Sequence, residues 1–139
     1  MTGPSENSIS HSYQIKVKEE HIDALNHVNN VVYVQWVQDA SEKHWGLLSN
    51  AKINVKYFWV CLRHEIDYKG QAFFGDELKV LTWVGESKGV TSIRYVQILK
   101  NDRIILQAAS TWCLMDTTTL KPTRIPQEIF ELLTNSYFN

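Results

Sequence analysis

The chain lacks the sequence features of several protein classes. It has two cysteines in 139 residues, no CxxC or HExxH motif, and no metal-ligand spacing among its five histidines. A disulfide framework and a bound metal are therefore not predicted. The longest apolar run has six residues, 57–62. A membrane-spanning helix needs about 18 or more, so no span is expected.

The chain also has no large excess of acidic or basic residues. Lys plus Arg total 14 and Asp plus Glu total 15, which gives a formal net charge of -1. This balance does not favour nucleic acid as a partner. The first ten residues lack the basic start and apolar stretch of a secretory signal, so we expect a cytoplasmic protein. Residues 1–10 are predicted to be a disordered leader, and residues 11–139 a single domain.

Aromatic residues are abundant. They make up 12% of the chain and include five tryptophans. This content predicts a large aromatic core, an apolar ligand site, or both. The two cysteines, Cys61 and Cys113, lie within apolar runs and are expected to be small buried side chains.

The periodicity of the chain changes along its length. Alternation predicts strands over 13–17 and 78–85, and apolar stretches between turn signals predict strands over 57–68, 92–100 and 103–116. A tight turn is predicted over 100–103 and a looser one over 85–89. A polar stripe at spacings of three and four predicts a helix that starts after an N-cap at Asn29 or Asn30 and stops at Gly46, with a short helical turn following as far as Asn50. Its other faces are apolar, so it should be largely enclosed. A short helix with Pro126 in its first turn is predicted over 125–135.

These elements predict an α+β fold in which an antiparallel sheet curls around a central helix. The long last strands would leave an exposed sheet edge. Pairing of two copies along that edge would remove this liability, so we expect at least a homodimer, with a tetramer open.

The segment 20–30, EHIDALNHVNN, is unusually polar for the approach to a buried helix. A helix N-terminus has unpaired N–H groups and a partial positive charge, so it can polarise a carbonyl oxygen. A carboxylate just upstream, such as Asp23, can activate water or attack that carbonyl directly. A capped loop without catalytic function is the alternative from the residues alone.

The run Asp-Ala-Leu-Asn-His-Val-Asn-Asn, followed by Val-Val-Tyr, resembles the signature loop of hotdog-fold acyl thioesterases. It is similar to the 4-hydroxybenzoyl-CoA thioesterase family and to plant acyl-ACP thioesterases, which share His-Val-Asn-Asn. Residues 65–68, 74–78 and 111–116 also resemble strands of that family. The resemblance covers almost the whole chain.

This resemblance implies a thioesterase that hydrolyses acyl-CoA or acyl-ACP and needs no cofactor. Asp23 stands at the position of the catalytic carboxylate, and the backbone of Asn30 at the position of the amide that grips the thioester carbonyl. His27 and Asn29 match the shared run and are implied to position substrate, water or the loop. Tyr33, Trp36 and Trp59 are candidates for lining an acyl pocket, although core packing is the favoured role of each.

Two departures from the family affect these assignments. Asn26 stands where many members have Gly, although Asn tolerates positive φ better than most residues. Residues 69–76 contain no cysteine at the place where plant members have a functional one, and Cys61 is not assigned that role.

For several other residues, the sequence predicts a structural or surface position and no catalytic role. His64 and Glu65 are adjacent on a strand and should point to opposite faces, so a catalytic pair is not predicted. Scattered basic residues are expected to lie on the surface: Arg63, Lys69, Lys88 and Arg94. Two other functions stay open, a non-catalytic carrier of an apolar ligand and a hotdog dehydratase, although the His and Glu motifs of a dehydratase are not found.

Overall fold

The computed structural model describes residues 3–5 and 8–134. Five strands and three helices follow one another along the chain: β1 Ser10–Lys16, α1 Asn30–Leu48, α2 Ala51–Lys56, β2 Tyr57–Tyr68, β3 Glu77–Lys88, β4 Thr91–Lys100, β5 Arg103–Asp116 and α3 Gln127–Thr134. A single 3₁₀ turn, Glu19–His21, lies between β1 and α1.

The strands form one sheet in the order β1-β3-β4-β5-β2, and every neighbouring pair is antiparallel. The exposed edges are therefore β1 and β2. The expectation that the last strands supply a free edge was wrong, because β5 lies between β4 and β2. With its 12 residues, β2 is the longer of the two edges.

The long helix α1 packs against one face of this sheet, which confirms the predicted α+β arrangement. Its inward side chains Tyr33, Trp36, Val37 and Ala40 are buried in one cluster with apolar residues of the middle strands. The strand residues of that cluster are Leu78, Val80, Val96, Ile98, Ile105, Leu106 and Ala108. All of them except Ile105 alternate along their strands with residues of the opposite face.

The helix is less enclosed than its apolar sequence predicted. Val31 in its first turn is 72% exposed, and Leu47 near its end is 67% exposed. Within the described residues, no helix combines the length and apolar character that a membrane crossing needs.

Both hairpin turns place residues in the left-handed region. Asn101 and Asp102 have φ of 50° and 65°, which matches a two-residue type I′ turn and confirms the tight turn predicted there. The other turn was predicted too long. Strand β3 continues to Lys88, and Gly89 with φ of 64° turns the chain directly into β4.

Several element boundaries also differ from the predictions. Gly46 does not stop α1, which continues to Leu48. Helix α2 was not predicted. Its signal in the sequence was the N-cap, since the Asn50 Oδ1 accepts a hydrogen bond from the Ile53 amide. Pro126 precedes α3, and its carbonyl accepts bonds from two amides of that helix. The predicted last residue of α3, residue 135, lies outside the described residues.

The N-terminal strand starts at Ser10, three residues before its predicted start. Ile9 is buried in a second apolar cluster with Leu114 and Ile129, and its carbonyl accepts a hydrogen bond from the Val84 amide. The segment predicted as a leader therefore contributes to the folded domain at residues 9 and 10. Residues 1, 2, 6 and 7 lie outside the described part of the chain.

Candidate active site at the start of the central helix

A tight loop places Asp23 beside the start of α1. Ile22 pairs with Val28, and the Asp23 amide donates to the His27 carbonyl at 2.9 Å. Asn26 at the tip has φ of 66°, the left-handed conformation that Gly adopts easily and Asn tolerates. The replacement of Gly by Asn therefore leaves the turn intact.

The Asp23 carboxylate is held by one of its two oxygens. Its Oδ1 accepts hydrogen bonds from the amides of Leu25 at 2.8 Å and His27 at 3.3 Å. No described residue donates to Oδ2. The loop therefore orients the carboxylate and leaves one oxygen available.

The first turn of α1 contains one amide without a partner. Val31 donates to the Asn29 side chain at 3.0 Å, and Val32 and Tyr33 donate to the Asn29 carbonyl. The Asn29 amide itself donates to the His21 carbonyl at 3.0 Å. For the Asn30 amide, no acceptor is found among the described residues. The N-cap prediction is confirmed for Asn29, and Asn30 begins the helix with an exposed, unpaired donor.

The Asn29 cap gives a direct prediction about stability. Asn29→Ala should lower the free energy of unfolding by about 1 kcal/mol, because the Val31 amide loses its side-chain acceptor. Chemical denaturation measures this difference. The same change at exposed Asn54 of α2, whose side chain donates to Ser49 Oγ just before that helix, is the matched control and should cost less. Equal losses at the two sites would contradict the capping role.

His27 and Tyr33 contact the segment that connects β2 to β3. His27 bridges to Phe73, and their rings meet edge to face at 5.5 Å. The Tyr33 hydroxyl accepts a hydrogen bond from the Ala72 amide at 3.1 Å, and the ring is buried. Tyr33 therefore packs in the core, the role that the sequence favoured for it, and its contact with an acyl group stays a prediction.

Trp59 lies elsewhere, at the opposite end of α1. There it contacts the ring of Trp45 edge to face at 5.7 Å, beside a cavity of about 350 Å³. Aromatic side chains of α1, β2 and β5 form much of the cavity wall: Trp45, Tyr57, Phe58, Trp59 and Trp112. The predicted site residues thus fall into two groups, one at the loop and one at this cavity.

A buried cation also lines this cavity. Arg94 is only 6% exposed, so its expected place on the surface was wrong. Its Nη1 donates to His44 Nδ1 at 2.7 Å and to Thr82 Oγ1 at 3.2 Å. Burial lowers the pKa of Arg94 to about 10, which keeps it protonated near neutral pH. The only signal in the sequence for this burial was the position of Arg94 within its strand. In the sheet, Arg94 pairs with Val84 and Ser110, which are both buried.

His44 is neutral in this arrangement. Burial, and then the charge of Arg94 and the nearby His11 ring, lower the pKa of His44 to about 3 from the ordinary 6.5. The His11 and His44 rings stack at 5.6 Å. A neutral imidazole accepts at Nδ1, which agrees with the hydrogen bond from Arg94.

This shift predicts acid sensitivity. Between pH 6.5 and about 3, His44 takes up a proton in the unfolded chain but not in the folded one, so stability falls as the pH decreases through that window. The loss of Tm from neutral pH to about pH 5 should be smaller in His44→Gln, which keeps an acceptor for Arg94. Thermal unfolding at both pH values tests this. Parallel losses in the two proteins would contradict it.

A β-bulge in β2 brings three polar side chains together, those of Cys61, His64 and Ser110. The pairing of β2 with β5 shifts between Cys61 and Arg63, so Cys61 and His64 face the same side. The Cys61 Sγ lies 3.4 Å from His64 Nε2, and His64 Nδ1 lies 2.6 Å from Ser110 Oγ. Burial raises the pKa of the Cys61 thiol and lowers the pKa of His64. A neutral thiol is a poor nucleophile, so this geometry does not favour Cys61 over Asp23.

Together, the fold and the loop define a class. A long helix on an antiparallel sheet, with a carboxylate loop leading to an unpaired helix amide, is the hotdog arrangement of thioesterases. Residues 17–133 match the family model of the thioesterase-like superfamily, and the chain belongs to that superfamily.

Individual relatives agree with this membership. The chain is 25% identical over 129 residues to the long-chain acyl-CoA thioesterase FadM of Escherichia coli, covering 86% of this chain and 94% of that protein. It is 29% identical over 73 residues to the chloroplastic acyl-[acyl-carrier-protein] hydrolase FATB3 of Cuphea viscosissima. That match covers 51% of this chain and only 18% of the plant protein.

A solved structure supports the fold. A predicted thioesterase from Bacillus stearothermophilus superimposes with a TM-score of 0.81 at 21% identity, covering 91% of this chain and 96% of that chain.

Proposed function

We propose that this protein hydrolyses acyl thioesters, carried by coenzyme A or by acyl carrier protein, to the free acid and the thiol. The observation that carries the proposal is the unpaired Asn30 amide at a helix start, next to a loop that holds Asp23 by one oxygen only. Membership in the thioesterase-like superfamily supports it.

The carboxylate has two possible roles, and both remain part of the proposal. As a general base, Asp23 takes a proton from water while the water oxygen attacks the thioester carbonyl. As a nucleophile, its free oxygen attacks that carbonyl and expels the thiolate, and water then hydrolyses the resulting anhydride. Either route places negative charge on the carbonyl oxygen in the transition state.

The Asn30 amide would stabilise that charge. The oxyanion accepts its hydrogen bond more strongly than the ground-state carbonyl does, so the benefit is expressed in kcat. The positive end of the α1 dipole acts in the same direction. The exposed Val31 next to this amide supplies an apolar surface for the substrate or for a second subunit.

A free-thiol release assay with a panel of acyl-CoAs tests the proposal. Release with one or more thioesters supports hydrolysis. Binding without release would instead favour a carrier, for which the cavity of about 350 Å³ is the specific support. The panel also reports acyl preference.

The expectations of a cytoplasmic location and of no cofactor stay predictions.

We further propose that each active site uses two copies of the chain. Strand β2 offers a long unpaired edge, and Leu62 on it is 60% exposed. Antiparallel pairing of two β2 strands about a two-fold axis sets the start of one strand beside the end of the other. Tyr68 at the end of β2 contacts Tyr33 near the Asp23 loop, and Trp59 near the start lines the cavity. One subunit's loop would then face its partner's cavity.

Light scattering tests this assembly. The mass in solution should be at least twice the 16.1 kDa of one chain. Leu62→Lys should shift the protein toward the monomer and lower activity, because a charge would replace an apolar contact at the edge. Leu120→Lys is the matched control, since Leu120 is 67% exposed but lies just after the turn that follows β5. A stable monomer of wild-type protein at micromolar concentration would contradict the proposal.

A further inference from the structure

The wall of the cavity at the end of α1 contains the cation Arg94, which has no acidic partner among the described residues. The two ion pairs among the described residues, Arg63–Glu65 and Lys100–Asp76, do not involve Arg94. The Arg94 Nη1 donates to neutral partners, and no described residue accepts from its Nε or Nη2. A buried guanidinium is costly unless an anion compensates its charge.

A second donor in the same wall is also unsatisfied. Trp112 lines the cavity, and its indole Nε1 is buried without a hydrogen-bond partner among the described residues. Trp112 is in register with Ser92, which also lines the cavity and lies two positions from Arg94 on β4. Two unsatisfied donors on neighbouring strands therefore belong to one wall, and neither can act as an acceptor.

The remaining cavity wall supplies no anion to Arg94. Glu42 is the acidic residue at the cavity, but it is exposed and its Oε1 accepts from Gln38 Nε2 at 3.3 Å. Five aromatic side chains contribute to the wall, together with neutral polar groups such as Ser41 and Ser92. The cavity thus combines donors that lack an acceptor among the described residues, on Arg94 and Trp112, with an aromatic surface.

We propose that this cavity is a binding site for a carboxylate that carries an apolar group, with Arg94 and the Trp112 N–H as its donors. A planar guanidinium pairs with a carboxylate through parallel hydrogen bonds, and the indole N–H can serve a further lone pair. The aromatic walls favour an organic acid over inorganic phosphate. The volume of about 350 Å³ lies at the small end of known ligand pockets, roughly 300–1,000 Å³.

Two sources can supply such a carboxylate. One is the free acid that the proposed hydrolysis releases. The other is the distal carboxylate of a dicarboxylic acid whose first carboxyl forms the thioester. The choice between these two sources rests on the proposed function, whereas the proposed carboxylate site does not.

Calorimetry on the full chain tests the site without catalysis. Hexanoate and phenylacetate should bind, and their neutral amides, hexanamide and phenylacetamide, should bind at least about tenfold more weakly, as expected for loss of a charge-assisted hydrogen bond. Arg94→Met should remove that preference while leaving amide binding within about twofold. Equal binding of acid and amide by the wild-type protein, or no binding of either, would overturn the proposal.

A second variant tests the same site independently, in case Arg94→Met does not fold. Trp112→Phe keeps an aromatic ring, although a smaller one, and deletes the N–H, and should weaken acid binding by about threefold to tenfold. Trp83→Phe is its matched control, because Trp83 is buried on the opposite face of the sheet against Tyr95. Equal effects of the two tryptophan changes would overturn the role of the Trp112 donor.

Kinetics then distinguish the two sources. If the distal carboxylate is the ligand, adipyl-CoA should have a lower KM than hexanoyl-CoA, and Arg94→Met should abolish the difference. If the released acid is the ligand, hexanoate should inhibit hexanoyl-CoA hydrolysis, and Arg94→Met should relieve that inhibition. Acid binding without turnover of any thioester would support the site and contradict the proposed hydrolysis, so the two failures can be told apart.

Discussion

Asp23→Asn should lower kcat for thioester hydrolysis by about 100-fold or more, the usual size of the loss of a general base. The fold should survive, because the asparagine side-chain oxygen can still accept from the Leu25 and His27 amides that hold Asp23. What is lost is the charge on the free oxygen, which both proposed roles of this residue require. Steady-state kinetics with the best acyl-CoA of the panel measure the change.

Asp39→Asn is the matched control. Asp39 lies on the polar side of α1 and accepts from Gln35 Nε2 at 2.8 Å, so the same chemical change there leaves the loop intact. Its kcat should stay near the wild-type value. Near wild-type hydrolysis by Asp23→Asn would show that another group activates water or attacks the carbonyl.

The second large effect is expected at a backbone atom. Asn30→Pro removes the amide proposed to bind the oxyanion, and kcat should fall by about 100-fold to 1,000-fold, as for loss of one oxyanion donor. Asn30 is the first residue of α1, a position where proline is favoured because its N–H has no partner in the helix. The preceding Asn29 has φ of -65° and ψ of 139°, which is the region that a following proline requires. The helix should therefore form normally.

Asn30→Ala provides the comparison, since it removes the side chain and keeps the amide. It should retain most of the activity, and the Tm of both variants should stay close to that of the wild type. A large loss in Asn30→Ala with little further loss in Asn30→Pro would assign the effect to the side chain. Full activity of Asn30→Pro would remove the amide from the mechanism.

Much of this candidate site could be predicted because it is local in the sequence. Asp23 and Asn30 are seven residues apart, and the loop between them is stabilised by hydrogen bonds within the same segment, such as that of the His27 amide to Asp23. The Asn29 cap likewise depends on residues one and two positions away. Short-range hydrogen bonds of this kind follow from residue types and spacing.

The helix α2 and the first residues of β1 were not predicted, because their stability depends on contacts between residues that are distant in the sequence. The short helix α2 is six residues long, and it is stabilised by burial of Ile53 in a cluster with residues of β3, β5 and α3. Strand β1 extends to Ser10 because β3 offers a partner as far as Trp83. Neither partner is visible from local periodicity, so tertiary contacts overrode weak local signals.

The sequence by itself determined the bounds of β2 and β5, the cap of α1 and the loop that holds Asp23, because apolar stretches, capping and turn chemistry act over a few residues. Only the tertiary structure decided that β2 is an edge, that Arg94 is buried, and that Trp112 and Trp59 line one cavity. These properties depend on strand order and on which face of the sheet α1 covers. An inward-facing arginine has the same local pattern as a surface one until the opposite wall is in place.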